Sequence, residues 1–269
     1  MEPKVTFVLL AALALAVPLA AQLGAQEAPL RVFIRAGEKT HNPVDNGVHD
    51  YPAFLADWSK LLLARGVKVD GALHFPTADE LARTDVLIIY KGDGGNCSPA
   101  ERAALDPYLK RGGGLVVLHD GMCSDDPGWF AEVAGAAKKH GEMNWSQGMV
   151  KAHVVDREHP IFKGTADFEL DDETFYLLTR APGMHVLLEA PLPKDGSVQP
   201  QAWSYERTLP GGRPYRSFVW MQGHHTSNFL QPGPRDLILR GIAWAGQRPI
   251  DSLMTVLPVP TPFPGLKRD

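Results

Sequence analysis

Arg111-Gly-Gly-Gly-Leu-Val-Val-Leu-His-Asp-Gly-Met-Cys123 is the segment whose reading decides the fold. Glycines break the end of a helix. Leu115–Leu118 then forms a short, unbroken apolar run, the pattern of a strand buried on both faces of a parallel sheet. His119 stands directly after that run, where open α/β sheets place their ligands. A hydrolase with a nucleophile elbow carries Ser or Cys at such a strand-to-helix turn. An imidazole keeps the position and changes the chemistry.

Outward from this segment, strands and helices alternate. Residues 31–34 read as a first strand, followed by a long polar loop over 35–50. Phe54, Leu55, Trp58, Leu61 and Leu62 recur at helical spacing over 51–65, with Gly66 at the end. Residues 67–72 and 84–90 read as the second and third strands. Ser98-Pro-Ala-Glu101 has the form of a capping box, with proline at the first helical position, and starts a helix that runs to Lys110. This order predicts βαβ units and an α/β fold with a mainly parallel central sheet. Beyond the Trp129 region the pattern becomes richer in strands, at 151–156, 185–189, 201–204 and 215–220, and an apolar helix over 237–245 closes the domain.

The chain has 269 residues and a formal net charge of -4, which gives no footprint for nucleic acid or an anionic membrane. No glycine motif follows the first strand, which argues against a nucleotide cofactor in the usual place. Val5–Val17 is an apolar run behind Lys4, ahead of Pro18 and small residues. It predicts a signal peptide over residues 1–25, a periplasmic or secreted protein, and no membrane insertion after cleavage. Residues 249–269 form a proline-rich C-terminal tail, within which Pro258-Val-Pro-Thr-Pro-Phe-Pro264 cannot build helix or sheet. The two cysteines, Cys97 and Cys123, each follow a predicted strand. In an oxidising compartment they could pair, and free thiols or a single nucleophile are the alternative.

Gly112-Gly-Gly-Leu-Val-Val-Leu-His119, Asp156-Arg-Glu-His-Pro-Ile161, Asp171-Asp-Glu-Thr-Phe-Tyr176, Pro200-Gln-Ala-Trp203, Gly223-His224 and Arg240-Gly-Ile-Ala-Trp244 together resemble the ThuA-like (trehalose-utilisation) family. That resemblance implies one three-layer domain over 30–248, with the flavodoxin-like core shared by class I glutamine amidotransferases. It also implies a role in sugar metabolism through 3-keto-sugar intermediates. By the amidotransferase analogy, His119 lies near the nucleophilic cysteine of that fold and His224 near its catalytic histidine. With no cysteine at the strand end, glutamine hydrolysis is rejected.

Loops at the carboxyl ends of parallel strands gather in one crevice. His41 and His49 after the first strand, His119 after the fourth, and His224 and His225 after the strand ending at Trp220 are therefore candidates for one divalent metal, zinc being the default. A metal there would polarise a sugar carbonyl or acidify a water. His119, His224 and Glu173 are the expected reactive centre. Glu173 serves as ligand or general acid–base, although its neighbours Asp171 and Asp172 also fit an acidic solvated loop. Asp120 either binds substrate or caps the next segment. Sugar sites combine aromatic faces with planar polar groups, so Trp145, Tyr176 and Gln222 are expected on substrate, with Asn144, Gln147 and Trp203 as further contributors. His159 is expected to fix a turn, and His74, His140, His153 and His185 to be structural. Lys91–Asn96 reads as a rim loop. The expected partner is a small carbohydrate, with a homo-oligomer possible. The expected activity is metal-assisted processing of a glycoside or 3-keto sugar; the alternatives are a non-catalytic carbohydrate-binding protein or a cysteine hydrolase using Cys123.

Overall fold

A computed structural model describes residues 28–258, so the predicted leader and the tail from residue 259 lie outside the described residues. The first half alternates as expected: β1 (Arg31–Ala36), α1 (Tyr51–Leu63), β2 (Lys68–Ala72), α2 (Ala78–Ala82), β3 (Val86–Tyr90), α3 (Pro99–Lys110) and β4 (Gly114–Leu118). A 3-10 turn over His119–Met122 leads to β5 (Cys123–Ser124), α4 (Pro127–Ala134) and β6 (Ala136–Lys139). The second half contributes β7 (Trp145–Val154), β8 (Phe168–Phe175), β9 (Thr179–Arg180), β10 (His185–Pro191), β11 (Val198–Thr208), β12 (Pro214–Trp220) and α5 (Pro232–Ala245).

Capping fixes the helix starts. Ser98 accepts from Glu101 N–H while the Glu101 carboxylate accepts from Ser98 N–H, as the sequence pattern predicts. Asp50 and Asp126 accept from the third residue beyond them, at the starts of α1 and α4. The closing helix starts at Pro232, five residues before the predicted 237, because Pro232 and Pro234 fit a first turn whose amides need no intrahelical partner.

Nine strands form one sheet in the order β2-β1-β3-β4-β12-β11-β10-β7-β8. The five from β2 to β12 are parallel, and the remaining four neighbour pairs are antiparallel. A mainly parallel sheet thus describes the N-terminal half, and the whole sheet is mixed. Strand residues alternate between two cores. Ile34, Ile88, Val116 and Phe218 pack under α1 and α5; Phe33, Leu87, Val117 and Val219 pack under α3 and α4. The result is the expected three-layer α/β arrangement. Among the described residues no helix is long and apolar enough to cross a membrane.

The segment 171–176, read as a solvated acidic loop or a functional carboxylate, lies mostly in β8. Asp171 is exposed, while Asp172 and Glu173 are buried. Cys97 and Cys123 are both free and both buried.

Candidate metal centre

The carboxyl ends of β1, β3, β4 and β12 converge on one edge of the sheet because these strands run parallel. His49 comes from the loop after β1, His119 from the turn after β4, and His224 from the segment after β12. The β7–β8 hairpin brings Glu173, paired in register with Gln147. All four side chains are buried, and one ligand atom from each lies within 4.8 Å of the other three. His49 Nε2 is 3.0 Å from His119 Nε2 and 3.0 Å from His224 Nδ1. Glu173 Oε2 is 3.5 Å from His119 Nε2 and 3.9 Å from His224 Nδ1. Tetrahedral bonds of about 2.0–2.1 Å place neighbouring ligand atoms about 3.3 Å apart, so these separations suit a single small cation.

The outer nitrogens determine which lone pairs face inward. His119 Nδ1–H donates to the Met221 carbonyl at 2.8 Å. His49 Nδ1 lies 3.2 Å from Thr40 Oγ1 and 3.4 Å from Asp120 Oδ2. With both Nδ1 atoms acting as donors, the two Nε2 atoms present lone pairs to each other at 3.0 Å, an arrangement that requires a proton or a metal ion between them. Asp120 is itself held by the Tyr51 hydroxyl at 3.1 Å. Three histidines of this region adopt the left-handed backbone that side chains seldom enter: His41 (φ 60°), His49 (φ 45°) and His119 (φ 48°). Gly223 (φ 156°) lets the chain pass His119, since a Cβ there would meet the His119 Cβ at 2.8 Å and the Phe229 ring at 2.5 Å.

Burial and mutual repulsion shape the titration of the cluster. Desolvation lowers the His49 imidazole, reinforced by His119 and His224, and lowers His224 to about 4. Desolvation also opposes charge on His119, but Asp120, Asp172 and Glu173 outweigh it and raise its pKa. Burial lifts Glu173 to about 7, opposed by the nearby His119. Burial thus favours the neutral forms of His49 and His224, the form in which an imidazole binds a metal, and the carboxylates favour positive charge at His119 alone.

The centre opens into a crevice of about 530 Å³ whose lining includes His41, His49, Asp120, Cys123, Trp145, Gln147, Glu173 and His224. His41 lies at its exposed rim, its ring centroid 4.2 Å from that of His49. His225 is outside the tight set, its Nε2 3.5 Å from Gln147 Nε2. Trp145 and Asp120 line the crevice. Gln222 and Tyr176 do not line it. Gln222 is fully buried and donates to Gln201 Oε1 at 2.5 Å; Tyr176 donates to the Met143 carbonyl at 3.2 Å beneath Lys194. Trp203 is core, its indole donating to the Ala134 carbonyl, and Asn144 is buried outside the lining. His159 forms the expected turn, with its own carbonyl accepting from Phe162 and Lys163. His140, expected to be structural, lines the crevice instead.

Two further residues were not singled out from the sequence. Buried Asp172 accepts from the amides of Glu173, Gly223 and His224, and from the Asn228 side chain. Lys138, buried against Phe175, lines the crevice with its ammonium on the Glu142 carbonyl. An acidic triplet gives no cue to a buried strand, and a lysine pair gives no cue to a buried ammonium. Burial raises the Cys123 thiol well above its ordinary value, with Asp120 adding to the effect, the reverse of what a thiolate nucleophile needs.

Fold and site together define a three-layer α/β protein with a three-histidine, one-carboxylate cluster at the carboxyl ends of its parallel strands. The chain belongs to the ThuA family, described as trehalose utilisation, whose family model matches residues 31–245. A ThuA-like protein from Bacteroides uniformis is 21% identical with a TM-score of 0.58, over 82% of this chain and 93% of that one. Another, from Parabacteroides merdae, is 18% identical with a TM-score of 0.62, over 88% and 95%. The glutaminase domain of Trypanosoma brucei CTPS is similar at a TM-score of 0.46 and 11% identity, over 82% and 95%. No match to a curated protein was found. Family membership gives the protein a carbohydrate-related role.

Proposed function

We propose that the protein is an exported, metal-dependent enzyme that processes a glycoside or 3-keto sugar. The observation that carries the reading is the buried convergence of His49, His119, His224 and Glu173 within 4.8 Å. Such a donor set, three imidazoles and one carboxylate, suits a first-row divalent ion, with zinc as the default. Bound there, the ion supplies Lewis acidity toward a substrate oxygen. The chain supplies the rest. The Met221 carbonyl holds the His119 ring, Thr40 Oγ1 with Asp120 beside it holds the His49 ring, and Asp172 fixes the backbone of both Glu173 and His224. Trp145, partly exposed beside Phe175 in the β7–β8 register, offers the flat apolar face that a pyranose ring covers. Export rests on the Val5–Val17 leader and implies a periplasmic or secreted location.

Metal analysis of untagged protein, purified without chelator, tests this. About one divalent ion per chain is expected in the wild type, with the occupancy largely lost in His119→Ala and reduced in Glu173→Gln. Clearly substoichiometric metal in the wild type would sink the metal reading.

A further inference from the structure

Four exposed histidines pair with carboxylates: His74 with Glu80, His153 with Asp167, His185 with Asp156 and His140 with Asp93. Of these, among the described residues, only His140 and Asp93 line the crevice. His140 Nδ1–H donates to Asp93 Oδ1 at 2.5 Å. That bond fixes the tautomer and leaves the Nε2 lone pair without a partner in the described protein. Side-chain exposures of 48% and 36% make the pair too solvated to add much stability. Its scaffold is nonetheless firm. Asp93 has φ 53° in the left-handed region, Gly94 N–H donates to the Asp120 carbonyl, and His140 N–H donates to the Ser124 carbonyl. Both members are thus stitched to the segment that carries His119.

Most other proton carriers of the crevice are committed, and Glu142, which also lines it, accepts from the Asn144 side chain at 3.4 Å and orients no imidazole. Glu173 belongs to the ligand set, and Asp120 is occupied by Tyr51 and His49. Cys123 is held protonated, and Lys138 is spent on main-chain carbonyls. His41 has only the Thr40 hydroxyl on its Nδ1, with no carboxylate to orient it. An imidazole oriented by a carboxylate through Nδ1, with Nε2 free over a cavity, is the usual construction of a general base.

We propose that His140 is a catalytic acid–base residue and that Asp93 positions it. The inference rests on the keto-sugar reading above. Nε2 removes the proton from the carbon adjacent to the substrate carbonyl. The C–H electron pair becomes a C=C bond, and the carbonyl π pair moves to oxygen. Return of a proton from the imidazolium restores the sugar. When the next carbon carries the glycosidic oxygen, collapse of the enolate expels it, and the leaving oxygen takes the imidazolium proton. The products are an alcohol and an unsaturated keto sugar, with no external oxidant or reductant.

The test uses the full chain, metal-loaded, with methyl 3-keto-α-glucoside in D2O, and follows deuterium entry next to the carbonyl by NMR. Wild type should exchange. His140→Ala should slow exchange by about 100-fold or more, with metal content and melting temperature unchanged, and imidazole at tens of millimolar should restore much of the rate. His140→Gln should behave as His140→Ala does without rescue. Asp93→Asn should lower kcat by about 10-fold with little change in KM. A His140→Ala protein that exchanges at the wild-type rate, or that imidazole does not rescue, overturns the assignment alone. Absence of both exchange and methanol release in metal-loaded wild type removes the keto-sugar reading, and the dyad with it.

Discussion

Asp172 Oδ1 accepts three backbone N–H groups, from Glu173 at 2.7 Å and from Gly223 and His224 at 3.0 Å each, while Oδ2 takes the Asn228 amide at 2.6 Å. One buried carboxylate therefore fixes two ligand-bearing segments relative to each other. Asp172→Asn removes the charge that strengthens these bonds and turns an NH2 group toward at least one donor. The expected loss is on the order of 2–4 kcal/mol in urea unfolding, together with a roughly 10–100-fold weaker metal affinity by competition titration. Unchanged affinity would show that Glu173 and His224 need no such clamp. Asp172 also explains physically why His224, and not its neighbour His225, joins the cluster; from the sequence, His224 is preferred only through the family motif, and both are candidate ligands. Two adjacent histidines carry no cue to which turns inward; that is set by a carboxylate 52 positions away gripping the His224 amide. His119 was legible because its position followed from an apolar strand and the rule for sheet ends.

At the scale of elements, the parallel half could be read because β3 and β4 are unbroken apolar runs and α1 and α3 carry their own caps. Of the hairpin of β7 and β8, only the end of β7 could, through the strand predicted over 151–156. Its outer face alternates with acidic and polar residues, so Asp171-Asp-Glu looks solvated until tertiary packing buries two of the three. The connection between these strands holds His159, whose ring lies 5.5 Å from Trp244 of α5 and 5.7 Å from His185. Burial first, then the neighbouring His185, lowers its pKa from the usual 6.5 to about 4. Between those two values the unfolded chain binds the proton and the folded protein does not, so stability rises with pH across that window. The contribution is complete above about 6.5 and is lost as pH falls toward 4. Thermal melts of wild type and His159→Gln from pH 4 to 8 should show their melting temperatures separating in wild type's favour as pH rises through that interval. Parallel curves would show that this turn does not couple proton binding to folding.

Across the whole molecule, the four ligands lie at sequence positions 49, 119, 173 and 224 and join the parallel half of the sheet to its antiparallel extension. An ion held by all four can bind only the folded chain, since no local segment carries more than one of them. Its binding free energy therefore adds to global stability rather than to one element. At a free metal concentration of about 1,000 times Kd the gain is roughly 4 kcal/mol, which for a domain of this size is on the order of 10 °C in melting temperature. Calorimetry of the full chain with added zinc and with chelator should show that gap, and Glu173→Gln should narrow it. His140→Ala should leave it intact, because His140 lies outside the ligand set. A chelator-insensitive melt would mean that the lone pairs of His49 and His119 share a proton rather than a metal. The crevice would then be a binding cleft without Lewis-acid chemistry.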